Sequence, residues 1–314
     1  MHRRLQRKFK FQPRHDQLES RRLLSTVYST NWSGYGDATN LSAPATGSVT
    51  AVSGSWVVPT VTGPRRGTDY SAAWVGIDGL SDSTVEQIGT EQDVSNGTAH
   101  YDAWWEMYSS GLGQPEQVIS GLTIKPGDSI SASVQYTGSG NFALTITDTT
   151  ENESFTTTQK TSATQSPTAS QSSAEWVVEA PTVGGRQASL ADFGTITFTN
   201  ASATINSVTG SINDSAWQNE AIDMVTSRGS LLDSTSALNS GGTGFTVTYD
   251  GTAAAQFGGG RAGGGAMQPR TVRTNPVSLA APTGQAPAVV FCGVVPTDQV
   301  KKDGSGLTGS SPSS

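Results

Sequence analysis

The stretch Tyr101-Asp102-Ala103-Trp104-Trp105-Glu106-Met107-Tyr108 decides the fold class of this chain. Read as a strand, its side chains alternate between two faces. Asp102, Trp104, Glu106 and Tyr108 share one face, and Tyr101, Ala103, Trp105 and Met107 share the other. The second face is mostly apolar and suits a core. The first carries two carboxyls, an indole and a phenol. A plain sheet surface uses Thr, Ser or Lys in such places, so this face points to binding. A half-exposed strand with incidental acids is the plainer alternative.

Three further segments repeat the pattern. In Trp74-Val75-Gly76-Ile77-Asp78, Trp74 and Asp78 lie opposite the apolar Val75 and Ile77. Gln87, Gly89 and Glu91 share a face if their strand extends that far. In Glu175-Trp176-Val177-Val178-Glu179 the two Glu lie opposite Trp176 and Val178. Stacked in one sheet, these segments build a polar and aromatic concave surface, the usual chemistry of a cleft.

The surrounding sequence is β-rich. Further strands are expected at Gly54–Val58, Ala72–Ile77, Val85–Gly89, Ile130–Tyr136, Phe142–Thr147, Thr195–Thr199 and Phe245–Tyr249. Turn clusters such as Lys125-Pro126-Gly127-Asp128 separate them. Short strands with turn signals indicate an all-β antiparallel sandwich or barrel, which commonly exceeds 200 residues as one domain. One helix is expected at Ser230–Leu238, and the Thr/Ser/Gln-rich stretch Thr157–Ser173 reads as a mobile loop.

The 314 residues divide into three parts: a basic leader (1–25), a β-rich body (26–250) and a Gly/Pro/Ser-rich tail (251–314). The tail's composition suits disorder. The leader holds eight Lys/Arg and lacks a signal-peptide core, so a disordered leader and an export or processing signal of another kind both fit. Set against an acidic body, it also suits a propeptide that is released in acid, with a salt-sensitive association.

The body has six Lys/Arg against 22 Asp/Glu, a balance near −16. That argues against nucleic acid as a partner, because phosphate binding needs clustered cations. No apolar run is long enough for a membrane span. With few cations, the body avoids positive self-repulsion once its carboxyls protonate, which suits acidic working conditions. Ordinary acidic solubility explains the same composition. Six Asn-x-Ser/Thr sequons, at Asn31, Asn40, Asn96, Asn152, Asn200 and Asn213, are weak evidence of secretion in a chain so rich in Ser and Thr.

Scarcity narrows the chemistry. The histidines are His2, His15 and His100, the one Cys is Cys292 in the tail, and no Gly-x-Ser-x-Gly elbow occurs. These leave little for a metal site or a Ser-His or Cys-His nucleophile, so no metal and no cofactor is expected. Asp-Thr-Gly and Asp-Ser-Gly are also absent. Any catalysis rests on carboxyls and amides.

Trp-Val-Gly-Ile-Asp-Gly at 74–79, Gln87-x-Gly89, the octet at 101–108 and Ala-Glu-Trp-Val-Val-Glu at 174–179 resemble, in order and spacing, the glutamic peptidases, or eqolisins. Asn31-Trp32-Ser33-Gly34-Tyr35 and Gly54-Ser55-Trp56-Val57-Val58-Pro59 are similar to the start of that family. The resemblance covers roughly residues 31–250. It implies two antiparallel sheets in a concanavalin A-like or jelly-roll sandwich, with a cleft on one concave face.

It also implies a secreted, acid-acting endopeptidase with protein or peptide substrates, expected as a monomer. The matching catalytic pair is Gln87 and Glu179, rather than Glu175. Trp74, Asp78, Asp102, Trp104, Glu106 and Tyr108 match residues that line or support the cleft. Glu91 stands where the family has Asp. The family's fungal members use disulfides, whereas this body has no Cys. A glycosidase using Glu106 and Glu179, or a non-catalytic sugar-binding module, are the competing readings.

Overall fold

The computed structural model describes residues 26–109, 114–161, 168–183 and 185–251. The leader at 1–25, nearly all of the tail and Cys292 lie outside the described residues. The strands are β1 (Thr26–Ser29), β2 (Trp32–Ala38), β3 (Val49–Val57), β4 (Thr68–Asp69), β5 (Ala72–Ile77), β6 (Thr84–Ser95) and β7 (Thr98–Ser109). Next come β8 (Gln114–Val118), β9 (Ser129–Gly138), β10 (Asn141–Asp148), β11 (Glu153–Lys160), β12 (Ser173–Glu179), β13 (Thr182–Val183) and β14 (Arg186–Gln187). The last are β15 (Thr195–Ile205), β16 (Val208–Gly210), β17 (Gln218–Val225), β18 (Leu231–Thr235) and β19 (Phe245–Tyr249). No helix occurs among the described residues, so none there is long and apolar enough to cross a membrane.

The strands form the expected sandwich. One layer runs β1–β17–β2–β12–β5–β6–β7–β8. The other runs β16–β15–β3–β9–β10–β11. Pairing is antiparallel except between β1 and β17. The layers join at β15. Its first half, Thr195–Phe198, pairs with β19 beside the first layer, while Thr199–Ile205 pairs with β3 in the second. Between the halves the register shifts at a bulge where Asn200 adopts φ 53°. A bulge bends a strand, and Asn tolerates the left-handed region, so one strand turns the corner between two sheets.

The core fills the space between layers. Val75, Ile77, Ile88, Trp105, Met107, Trp176 and Val178 come from the first sheet. They meet Val52, Trp56, Ile130, Val134, Phe142, Leu144 and Ile146 from the second. Trp176 sets the spacing, since its indole N–H donates to the Ser53 carbonyl at 2.8 Å. A Cβ at Gly54 would stand 2.8 Å from the Trp176 ring and 3.1 Å from Val75. Glycine there is what lets the indole lie flat against β3.

Two sequence expectations fail. Ser230–Leu238 is not a helix: it contains β18, paired with β17 and β19. Leu231 remains exposed while Asp233 is buried. The ladder available on both sides decides the conformation. Thr157–Ser173 is not all loop, because Thr157–Lys160 completes β11 and Ser173 opens β12. Thr pairs across β10 and β11, such as Thr145 with Thr156 at 3.0 Å, favour strand over loop.

Candidate active site

The face of the first sheet turned away from the main core carries a second, smaller apolar cluster. It comprises Trp32, Ala72, Trp74, Leu80, Val85, Trp104, Val177 and Ile222. The alternation read from the sequence therefore holds in all four segments. Odd-numbered Val75 and Ile77 enter the main core, while Trp74 enters this one.

Register builds the site. Gln87 lies directly across from Glu106, Gly89 from Trp104, and Glu91 from Asp102. On the other side, Trp74 pairs with Gly89 and Val177, and Ala72 with Glu91 and Glu179. A Cβ at Gly89 would collide with the Ala73 carbonyl oxygen and the Trp74 Cβ, so glycine there allows β5 and β6 to pair this closely beneath the cleft. Over this floor opens a cavity of about 110 Å³. Its lining includes Gln87, Glu91, Trp104, Glu106, Tyr108 and Glu179. A water needs only about 10–15 Å³ of such space, so a nucleophilic water fits with room to spare.

Glu179 sits on the cleft wall. Its Oε2 accepts the Trp74 indole N–H at 2.9 Å, and its Oε1 receives a longer contact from the Asn31 amide at 3.5 Å. The Trp32 indole is near the same carboxyl without meeting hydrogen-bond geometry. Burial pushes the Glu179 carboxyl up to about 7, and the indole and amide donors offset part of that rise.

Gln87 Nε2 donates to Glu106 Oε2 at 2.8 Å. Glu106 also accepts the main-chain N–H of Glu116 on β8. Burial first, then the charges of Glu179 and Glu116, raise Glu106 to about 8.

The remaining expected residues divide. Trp74 is fully buried under the floor. Asp102 is exposed, outside the lining. Asp78 does not line the cavity either. It ends β5 in the left-handed region at φ 74°, which Asp tolerates. There it accepts the main-chain N–H groups of Gln171 at 2.7 Å and Ser172 at 2.6 Å. Asp78 thus ties the segment before β12 to the end of β5. Glu175 is fully buried, with neither oxygen hydrogen-bonded, among Asp78, Asp82 and Asp37. Of the two Glu on β12, only Glu179 reaches the cavity.

Asn31, Glu116 and Asp82 also line the cavity but were not picked out as site residues. Asn31 stood in a motif already noted. Glu116 had no local signal, since only the pairing of β8 with β7 brings it there. Among the described residues, no group of three or more His, Cys, Asp or Glu is placed to hold a metal ion.

Comparison with known proteins shows the family and the fold. The model of the peptidase A4 family matches residues 30–249. Aspergillopepsin-2 of Aspergillus niger is 32% identical over 246 residues, covering 71% of this chain and 78% of that protein. Scytalido-glutamic peptidase with a transition state analog inhibitor shares the fold, with a TM-score of 0.56 and 23% identity over 70% of this chain and 98% of that one. SCP-B, an eqolisin peptidase in complex with the tripeptide Ala-Ile-His, shares it with a TM-score of 0.54 and 22% identity, again over 70% and 98%. With its ordered motifs gathered around one cleft and a family match spanning nearly all the described strands, the chain belongs to the peptidase A4 family, the glutamic peptidases or eqolisins.

Proposed function

We propose that Gln87 and Glu179 are the catalytic pair of this glutamic endopeptidase, that residues 26–250 form its catalytic domain, and that it is secreted and works on protein or peptide substrates on the acid side of neutrality. The observation that carries the reading is the shared cavity: one untitratable amide and one carboxyl, each held by a neighbour, face the same small space. The glycosidase and binding-module readings fall with family membership.

In the forward step the Glu179 carboxylate takes a proton from water. The water oxygen attacks the scissile carbonyl carbon, and the carbonyl oxygen becomes an oxyanion. The Gln87 side-chain N–H donates to that oxyanion, in a site where burial strengthens the interaction. The Glu179 carboxyl then returns its proton to the amide nitrogen. The C–N bond breaks, leaving a carboxylic acid and an amine.

Two opposing trends set the working pH. Ionised Glu179 becomes more abundant as pH rises toward about 7. The folded chain, rich in buried protonated carboxyls, becomes less stable over the same range. Their product peaks below neutrality.

The test is hydrolysis of an unfolded protein substrate from pH 2 to 7 by the wild type and by Glu179→Gln. The variant is expected to lose activity by about 10²–10⁴-fold, the range for a lost general base. Gln87→Ala is expected to lose about 10²–10³-fold, the range for an oxyanion donor. Retained hydrolysis in a folded Glu179→Gln protein would overturn the assignment.

A further inference from the structure

We propose that Glu106 is the positioning residue of the catalytic amide: its carboxyl fixes the Gln87 carboxamide with an N–H toward the reacting carbonyl. The inference rests on the Gln87/Glu179 reading above.

The last torsion of a Gln side chain is broad and roughly two-fold. A freely turning carboxamide would present oxygen to the oxyanion about as readily as N–H. Something must select the orientation. Gln87 Oε1 is buried with no hydrogen-bond partner, so it does not select. The Nε2 contact to Glu106 Oε2, at 2.8 Å, does. An amide nitrogen has two hydrogens. With one held by Glu106, the other remains for the oxyanion. Glu106 is itself fixed, because β7 and β6 oppose it to Gln87 and the Glu116 N–H of β8 holds its carboxyl.

Charge matters as much as geometry. An ionised Glu106 would set a negative charge beside the forming oxyanion. The groups acting on Glu106 are Glu179 from β12, Glu116 from β8 and the Gln87 amide from β6. Tyr108, on its own strand, is also close enough to sense its charge. None of these is a cation: burial, and after it the charges of Glu179 and Glu116, raise the carboxyl to about 8, and the Gln87 and Glu116 N–H groups offset part of that rise. Over the acid range Glu106 therefore accepts the Gln87 N–H through its carbonyl oxygen and carries no charge.

The experiment compares wild type, Glu106→Ala, Glu106→Gln, Gln87→Ala and the Gln87→Ala/Glu106→Ala double variant on one peptide substrate, with folding checked by circular dichroism. Glu106→Ala is expected to lower kcat about 10–100-fold while KM stays within about twofold. The double variant is expected to be no slower than Gln87→Ala, since both changes remove one function. Glu106→Gln keeps an acceptor and cannot ionise. It is expected to retain kcat within about fivefold in acid and to part from the wild type only as pH nears 8, where Glu106 ionises. This isosteric variant also carries the test if the alanine variant does not fold.

A raised KM at unchanged kcat would make Glu106 a substrate contact and overturn the proposal. Losses that multiply in the double variant, or a Glu106→Gln protein as slow as Glu106→Ala, would also overturn it. Full activity in Gln87→Ala would instead sink the underlying dyad. Full activity in Glu106→Ala beside a slow Gln87→Ala would sink only the positioning role.

Discussion

The indole of Trp74 has no exposed surface, yet its N–H reaches Glu179 Oε2 at 2.9 Å from beneath the cleft. Its ring packs edge-on against Trp32, with centroids 4.9 Å apart. One side chain thus supplies both floor and anchor. A hydrogen bond to a charged acceptor favours the ionised form, and here it works against the burial that raises Glu179. Trp74→Phe keeps most of the ring and removes the donor. The Glu179 carboxyl should then rise further above its ordinary value. The acid limb of kcat/KM is expected to move up by about one to two pH units, matching the ~1.5–3 kcal/mol typical of a hydrogen bond to a charged group. A pH–rate profile that keeps its acid limb unmoved would show that Trp74 only packs.

At the scale of elements, β12 carries Glu179 on one face and Trp176 on the other, so packing in the core is felt at the cleft. Gly54→Ala puts a methyl 2.8 Å from the Trp176 ring, closer than carbon atoms tolerate. The expected cost is about 1–3 kcal/mol of stability, read as a lower urea midpoint, the usual penalty of overpacking. An unchanged midpoint would mean that β3 and β12 separate freely. The strands that carry the cleft, β5, β6, β7 and β12, were legible because polar side chains fall mostly on one face and apolar ones on the other, although Val85 and Val177 on the cleft face and Glu86 on the core face break the pattern. Ten others were not expected as strands, β2, β11, β17 and β18 among them. β2 reads Trp-Ser-Gly-Tyr-Gly-Asp-Ala, and its glycines look like breakers, yet it is buried throughout. There a Cβ at Gly36 would press on Leu80, so neighbours occupy the missing side chains' space. β11, β17 and β18 lack strong alternation and are strands because ladders await them. The site divides likewise. Gln87, Glu106 and Glu179 follow from face alternation and motif, whereas the Glu116 backbone contact follows only from which strand pairs at the edge.

At the scale of the whole molecule, the buried carboxyls set the pH range of the fold. Asp37 and Glu175 are fully buried with no hydrogen-bonded oxygen, and Glu86 leaves one oxygen unpaired. Burial is the first cause that raises each of them well above the carboxylate range. Burial also lifts Asp78 and Asp233 to about 7. The groups acting on these five are other carboxyls, hydroxyls, an indole and main-chain N–H, never a cation. In the unfolded chain the same groups titrate near 4. From about pH 4 upward the unfolded state therefore holds fewer protons than the folded one, and stability falls as pH rises. It is fully present below pH 4 and is lost through neutrality. Asp78 and Asp233 alone, each raised by about three units, account for roughly 4 kcal/mol apiece against a typical total of about 5–15 kcal/mol. The urea midpoint is thus expected to be highest at and below about pH 4 and to drop steeply between pH 5 and 8, the reverse of ordinary acid denaturation. Glu175→Gln removes one such group without touching the cleft lining. It is expected to leave the midpoint at pH 4 within error and raise it at pH 7, so that the two curves diverge only on the neutral side. Parallel curves would place the pH sensitivity in the surface charge of the acidic body instead of in its buried carboxyls.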